Sequence, residues 1–189
     1  KKVSDIHAIK IIFFITACYV GLWAIRIPTI KDQLQTDYVG VGYIMLSFAI
    51  GSIVAMIFAN ALILKTSTKS ILTCTLIAEG CLWLPVPFIQ ELWLFMVFSF
   101  VFGMSYGAFE IACNVYASNL EVREKKSMMS GFHAFWSLGV LFGSLITSFL
   151  LEWNYSFIFN ILLYVIILLP LSLYFVLCLE SQVETKSCL

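Results

Sequence analysis

Charged residues are scarce in this chain of 189 residues, since only 12% are Asp, Glu, Lys or Arg whereas 61% are hydrophobic. Soluble domains carry about twice that share of charge and are nearer half apolar. The scarcity excludes an ordinary soluble domain and predicts a chain whose solvent is largely lipid. The eleven basic and eleven acidic residues cancel, so net charge does not favour nucleic acid as a partner.

Several chemical signatures are missing as well. The six cysteines form no C-x-x-C pair, and most lie in apolar runs, which is typical of small hydrophobic side chains rather than of disulfides or metal ligands. No H-E-x-x-H motif supports an intramembrane enzyme built on Glu110, His133 and Ser137. We therefore predict no enzyme, cofactor or metal. No small-residue cleavage site follows the first apolar run, so no cleavable signal peptide is expected.

What is abundant is apolar sequence, in six long runs separated by short polar stretches. A membrane-spanning helix needs about 20 mostly apolar residues. Connections this short force neighbouring helices to be antiparallel. The pattern predicts an all-α membrane protein with six transmembrane helices, at residues 11–30, 39–64, 71–88, 92–117, 131–151 and 155–179.

The basic residues are concentrated on one side of these helices. With the first residue in the cytoplasm, the outer loops carry Asp32, Asp37, Glu91 and Glu152 but only one lysine. The positive-inside rule then predicts that both ends of the chain are cytoplasmic. The inner segments hold nine of the eleven Lys and Arg residues: Lys1, Lys2, Lys10, Lys65, Lys69, Arg123, Lys125, Lys126 and Lys186.

Small residues recur at four-residue spacing in the predicted helices. Gly103 and Gly107 lie in the fourth, and Gly139 and Gly143 lie in the fifth. This spacing lets helix backbones approach closely and predicts a packed bundle.

The stretch "SYGAFEIACNVYASN" puts an acid, Glu110, into the fourth helix. At 100° per residue, Gly103, Gly107, Glu110, Asn114 and Ser118 share a stripe about 80° wide. A charge at membrane depth costs roughly 3 kcal/mol or more, so the stripe should face protein or a cavity. A carboxyl group that is protonated in one state and ionised in another can carry a proton. The alternative is a neutral Glu110 that hydrogen-bonds a neighbouring helix.

Three further features are candidate sites with ordinary alternatives. His133 and Ser137 share a face of the fifth helix, where a histidine can exchange protons, or His133 is an interfacial side chain that bonds the loop. Tyr19, Trp23 and Arg26 share a face of the first helix, which suits a polar or sugar-like solute and equally suits an interfacial aromatic belt. Glu79 is a second intramembrane acid, but it has no polar stripe of its own and is the weaker candidate.

The segments "GLWAIRIPTIKDQL" and "NVYASNLEVREKKSMMSGFHAFWSLGVLFGS" resemble the N-terminal half of a bacterial major facilitator superfamily permease. The nearest resemblance is to a branch of inner-membrane permeases with an "MSGFHAxWSLG" signature. The chain is more distantly similar to the fucose/proton symporters, whose fourth-helix Glu-x-x-x-Asn motif is matched by Glu110 and Asn114.

The resemblance implies a half-fold of two inverted three-helix repeats, in which helices one, two, four and five line a cavity and helices three and six face lipid. It implies a bacterial inner-membrane transporter that moves a small polar solute by alternating access, with proton symport through Glu110. Six helices would then be a fragment of a 12-helix transporter, completed by a C-terminal half or by a second copy.

One departure leaves another class open. The stretch "NALILKTSTK" keeps only Lys65 and Lys69 of the basic loop that this superfamily usually has between helices two and three. A non-transporting receptor or assembly subunit is the alternative.

Overall fold

The computed structural model describes residues 4–180, without the side chains of residues 59–62, 64 and 65. Of the features predicted above, Lys1, Lys2, Lys186 and one cysteine, Cys188, lie outside the described residues, as does the side chain of Lys65. Within residues 4–180 the fold consists of six α-helices: α1 (Asp5–Gln33), α2 (Tyr38–Lys65), α3 (Thr68–Trp83), α4 (Leu92–Glu124), α5 (Met129–Glu152) and α6 (Phe157–Cys178).

Several helix bounds differ from the bounds of the predicted spans, and α1 already starts at Asp5. The third candidate span ends at Phe88 as predicted, but its α-helix ends at Trp83 and a short 3₁₀ helix follows at Val86–Phe88. Pro85 and Pro87 explain this end, because proline lacks the amide donor and clashes with the preceding helical turn. The fourth helix continues seven residues past the predicted end, to Glu124, because Leu120 is fully buried and extends the core in that direction.

Local chemistry fixes several helix ends. Ser67 and Ser156 precede α3 and α6, and each side chain accepts a hydrogen bond from a backbone amide in the first turn, as N-cap residues do. At the start of α5 the Glu121 carboxylate takes this role and accepts the amides of Met128 and Met129. Lys125 adopts a left-handed conformation with φ 51°, which ends α4 and turns the chain.

The helices pack in the order α5, α1, α6, α3, α4, α2, each against the next. The helices form three pairs that are three positions apart in the chain: α1 with α4, α2 with α5, and α3 with α6. Swapping the two members of every pair gives the same packing order read backwards. Short connections make α1 and α4 run in opposite directions. The arrangement therefore has the symmetry of two inverted three-helix repeats, α1–α3 and α4–α6, and the predicted fold class is confirmed.

The core has two apolar clusters, one at each end of the bundle. The first surrounds Ile12, Leu72, Tyr116 and Phe132, and the second surrounds Leu22, Trp83, Phe95 and Ile161. An ionic cluster closes the first end, where Arg123 pairs with Asp5 at 2.9 Å and with Glu180 at 3.4 Å. These contacts join the start of α1 to the ends of α4 and α6.

Large apolar side chains cover much of the outer surface. The six helices are long and apolar enough to cross a membrane, so this exposure is expected where the solvent is lipid. On α2 and α5 the exposed side chains form continuous faces: Leu46, Ile50, Ile53 and Ile57 on α2, and Leu138, Leu141, Leu145 and Phe149 on α5. Lys69 and Arg123 lie at the end of the bundle where α1 begins, in contact with the last residues of α6 or with Glu180.

Candidate functional site

Two cavities lie on either side of Tyr106 in the middle of α4. The larger, of about 320 Å³, is called here the Glu79 cavity, and the smaller, of about 160 Å³, the Glu110 cavity. The side chain of Tyr106 lines both. Along α4, residues 95–102 belong to the first cavity and residues 109–114 to the second, so the two cavities follow one another along the helix.

The Glu110 cavity brings together three residues that the sequence predicted as site residues. Glu110 and Asn114, one turn apart on α4, line it with His133 of α5. Both α4 side chains are half-buried, and the Oδ1 atom of Asn114 is buried without a hydrogen-bond partner in the described part of the chain. An unpaired buried carbonyl oxygen is costly, so this atom is suited to a donor supplied by a ligand.

Aromatic rings complete this cavity. Phe13 of α1, Phe109 of α4 and Trp136 of α5 line it, and the ring of Phe13 meets the imidazole of His133 edge-on at 5.7 Å. His133 is exposed at its rim. The site thus offers an acid, an amide and an imidazole against a partly aromatic wall.

The residues of the predicted polar stripe on α4 lie in three different environments. Its first part, with Gly103 and Gly107, packs against the backbone of α2. Its middle part, with Glu110 and Asn114, opens into the Glu110 cavity. Ser118 is exposed beyond the cavity. A shared helical face therefore predicted that Gly103, Gly107, Glu110 and Asn114 point inward, but not that Ser118 is exposed or which residues line a cavity.

The glycine pairs mark the two closest helix contacts. A Cβ atom at Gly103 would lie 2.0 Å from the carbonyl oxygen of Phe48 in α2, and one at Gly107 would lie 2.5 Å from that of Ser52. Between α1 and α5, a Cβ atom at Gly139 would lie 2.2 Å from the carbonyl oxygen of Phe14, and one at Gly143 would lie 2.2 Å from that of Cys18. Only glycine fits at backbones this close.

Tyr19 and Trp23 do not join the Glu110 cavity but line the Glu79 cavity. Ser137 lines neither cavity, and its hydroxyl donates to the carbonyl oxygen of His133 at 3.1 Å. The sequence placed these residues on inward faces, but a helix-wheel position does not tell which helix lies opposite.

Arg26 was expected to share a solute-binding face with Tyr19 and Trp23, but it does not line the cavity that they line. It is 2% exposed, and its Nε donates to Asn160 Oδ1 at 3.0 Å and its Nη2 to the carbonyl oxygen of Tyr155 at 3.3 Å. The guanidinium also lies over the ring of Phe157. All three partners belong to α6 or to the turn before it, so this arginine joins α1 to α6 and points away from both cavities.

Glu79 is the functional candidate that the sequence underrated. It is 6% exposed and lines the larger cavity, although α3 was expected to face lipid. The cavity that it lines is formed mainly by aromatic residues of α1, α2 and α4, which no pattern within α3 reveals. The signal that was available is the acid itself, because an ionisable residue inside a spanning helix marks a site by default.

Residues 103–107 of α4 have a G-x-S-x-G spacing. In hydrolases this spacing forms a sharp turn between a strand and a helix, which exposes the serine. Here it lies inside α4, where Ser105 Oγ is buried without a partner among residues 4–180 and both glycines contact α2. The structural context of a nucleophile is absent from this segment. No group of three or more His, Cys, Asp or Glu residues that could hold a metal occurs within the described residues.

Comparison with known proteins gives a consistent result. The profile of the Major Facilitator Superfamily matches residues 11–187. An uncharacterized MFS-type transporter of Yersinia pestis is 28% identical over 145 residues, which cover 75% of this chain and 37% of that protein. An uncharacterized transporter of Sinorhizobium fredii is 25% identical over 141 residues, covering 70% of this chain and 35% of that protein. No solved structure gave a significant match. The chain thus spans little more than a third of the length of these curated relatives.

Proposed function

The chain belongs to the Major Facilitator Superfamily, and from this membership we propose that it forms the N-terminal six-helix half of a transporter that moves a small solute by alternating access. Such transporters bind their solute near the middle of the membrane, between two halves that rock against each other. The relatives, named as transporters, are nearly three times as long as the matched segment. A C-terminal half, or a second copy, is therefore proposed to close the site.

The observation that carries this proposal is the meeting of Glu110 and Asn114 in one cavity, with Asn114 Oδ1 unpaired. An acid within a spanning helix is energetically costly, so its presence there marks a candidate functional site. We propose proton symport, in which Glu110 accepts a proton when the cavity faces one side and releases it on the other. His133, at the rim, is proposed to assist the exchange of that proton with water.

The solute proposed for this cavity is small and polar, and hydroxyl-bearing molecules such as sugars fit best. Asn114 offers an acceptor, Glu110 offers an acceptor or a donor according to its proton, and Trp136 offers an apolar face. Arg26 is left out of this site, because its donors are used by α6. The similarity to fucose/proton symporters stays a prediction.

The proposed second half would cover part of the exposed apolar surface that α2 and α5 present. We also propose a bacterial inner-membrane location with the start of α1 in the cytoplasm, since Lys69, Arg123, Lys125 and Lys126 lie at that end.

The test is proton movement in proteoliposomes that contain the full-length transporter and a trapped pH-sensitive dye. Small polar solutes are added outside one at a time, and an active solute is expected to acidify the interior. Glu110→Gln should abolish this acidification, because the amide cannot carry the proton. Glu124→Gln on the same helix is the control, since that carboxylate is exposed.

Two outcomes contradict the proposal. Unchanged solute-driven acidification in Glu110→Gln removes Glu110 from the coupling. If solutes bind to the full-length protein but none is ever transported, the receptor alternative takes the place of the transporter.

A further inference from the structure

The Glu79 cavity has walls made mainly of aromatic rings. Eight of its twelve lining residues are Phe, Tyr or Trp, drawn from α1, α2, α3 and α4. Trp83 lies at the centre of this wall and packs against Tyr19 at 5.8 Å, Trp23 at 6.2 Å and Phe102 at 5.5 Å between ring centroids. The rings hold one another in place, so the cavity is formed before any ligand enters.

One acid interrupts this aromatic surface. Glu79 is the single Asp, Glu, Lys or Arg among the residues that line the cavity, and it is 6% exposed. Within residues 4–180, no hydrogen bond or ion pair reaches its carboxyl group. Arg26 of α1 does not line this cavity and is bound to α6. A buried acid of this kind is stable only as the neutral form or beside a cation that comes from outside.

Aromatic faces and a carboxylate together recognise one chemical class. The negative face of an aromatic ring attracts a cation, and cages of such rings bind quaternary ammonium groups. A sugar would need several hydrogen-bond partners, but the lining is mainly ring surface, and besides Glu79 its polar groups are hydroxyls of Tyr and Ser and indole N–H groups. The Tyr19 hydroxyl is already directed to the carbonyl oxygen of Tyr164, at 3.4 Å. The cavity volume of about 320 Å³ lies within the range of small-molecule sites, which starts at about 300 Å³.

We propose that the Glu79 cavity is a binding site for a monovalent organic cation with an apolar body. Glu79 supplies the opposite charge, and Trp23, Trp83 and Tyr106 supply ring faces. The cation enters past Met45 of α2, which is 47% exposed at the rim. The site goes beyond the proposed function, because it is separated from the Glu110 cavity by Tyr106 and does not depend on proton coupling.

The experiment measures binding of matched probes to the purified full-length protein by isothermal titration calorimetry in nanodiscs. The cationic probe is benzyltrimethylammonium, and the neutral probe of similar size is N,N-dimethylbenzamide. The wild-type protein is expected to bind the cation about tenfold or more tightly than the amide, since both a buried counter-charge and ring faces favour it. Empty nanodiscs give the background from lipid.

Two variants separate the carboxylate from the rest of the molecule. Glu79→Gln should weaken binding of the cation about tenfold while leaving the amide unchanged, because the substitution keeps the shape and removes the charge. Glu110→Gln should leave both affinities within about twofold, because that acid lies in the other cavity. This comparison also distinguishes the two proposals, since Glu110→Gln abolishes coupling but not cation binding.

Equal affinity of the wild-type protein for the two probes overturns the proposal, as does an unchanged cation affinity in Glu79→Gln. If Glu79→Gln does not fold, Trp23→Leu takes its place. This half-buried ring lines the cavity. Its loss should weaken binding of the cationic probe roughly two- to thirtyfold and binding of the amide probe less. An equal loss for both probes in Trp23→Leu counts against a cation site.

Discussion

The Glu79 cavity and the Glu110 cavity share α4 and the ring of Tyr106, but they present different surfaces to a ligand. In the first, a single carboxyl group lies among rings from four helices. In the second, which has half the volume, the acid has an amide and an imidazole beside it. The acid in the first is a poor partner for a polar solute but a good one for a cation. The acid in the second suits the binding of hydroxyl groups and of a proton.

Each cavity is also built on a different helix contact. Phe48 of α2 and Phe102 of α4 line the Glu79 cavity, and Gly51, Gly103 and Gly107 bring these two helices together. Phe13 of α1 and His133 of α5 line the Glu110 cavity, and Gly21, Gly139 and Gly143 bring that pair together. The comparison teaches that both cavities use α1 and α4 and differ in the helices added to them, which are α2 and α3 for the Glu79 cavity and α5 for the Glu110 cavity.

The largest effect is expected from adding one methyl group at either contact. Gly103→Ala and Gly139→Ala should each lower the free energy of unfolding by roughly 1–3 kcal/mol, because the new Cβ would overlap a backbone carbonyl at about 2 Å. Gly103→Ala should impair cation binding in the Glu79 cavity first, and Gly139→Ala should impair proton coupling first. Thermal unfolding in detergent, followed by circular dichroism, measures the loss.

Gly131→Ala is the matched control for both variants. A Cβ at Gly131 would meet nothing within 4 Å, so we expect no loss and a small gain from helix propensity. If the control unfolds as early as the other two, close packing is not the cause. If both functions fail equally in Gly103→Ala, the two cavities do not rest on separate contacts.

A smaller effect is expected for Arg26, which shares a helical face with Tyr19 but lies outside both cavities. Arg26→Met should cost roughly 1–3 kcal/mol of stability, because Asn160 Oδ1 and the Tyr155 carbonyl oxygen lose their donors. Its affinity for benzyltrimethylammonium should not change. Adding Asn160→Leu to Arg26→Met should recover part of the loss, because the orphaned amide is removed.

Lys31→Met is the control at the surface, where the lysine pairs with Asp32 at 2.7 Å and exposed pairs add little stability. A large gain in cation affinity in Arg26→Met would mean that the arginine acts on the Glu79 cavity after all. The role of Arg26 would then not be limited to joining α1 to α6.

The smallest effect on stability is expected at Asn114. Asn114→Ala should change the free energy of unfolding by only about 0.5 kcal/mol, because the Oδ1 atom has no partner to lose. Solute-driven acidification should nevertheless fall in the proteoliposome assay. Asn160→Ala provides the comparison, because that asparagine is fully buried and bonded to Arg26, and its removal should cost clearly more. A large loss of stability in Asn114→Ala would assign this residue to packing rather than to binding.

The fold could be predicted from the sequence because its determinants are local. Six apolar runs gave six helices, and the four-residue spacing of Gly103 and Gly107 indicated close helix contacts. The length and apolarity of the third run predict its span to Phe88, but Pro85 and Pro87 end the α-helix itself at Trp83. The extension of α4 depends on burial of Leu120 by other helices, which a single segment does not show.

The site was predicted less well, because it depends on which helices face each other. The positions of Glu110 and Asn114 on one face were sufficient to place both in one cavity. The same reasoning put Arg26 with Tyr19 and Trp23, but Asn160 of α6 lies opposite Arg26 and takes its donors. For Glu79, the residues that form the cavity around it come mainly from α1, α2 and α4, so no pattern along α3 could indicate them.

Tyr106 is a single ring that forms part of the wall of two cavities. A rotation of this side chain would enlarge one compartment and reduce the other, so a ligand that fixed the ring in one place would change the free energy of binding in the other. By thermodynamic linkage this influence would be reciprocal, with the same factor in both directions. Ligands of the two proposed sites would therefore compete or cooperate without touching, and one aromatic residue would set the sign of that coupling.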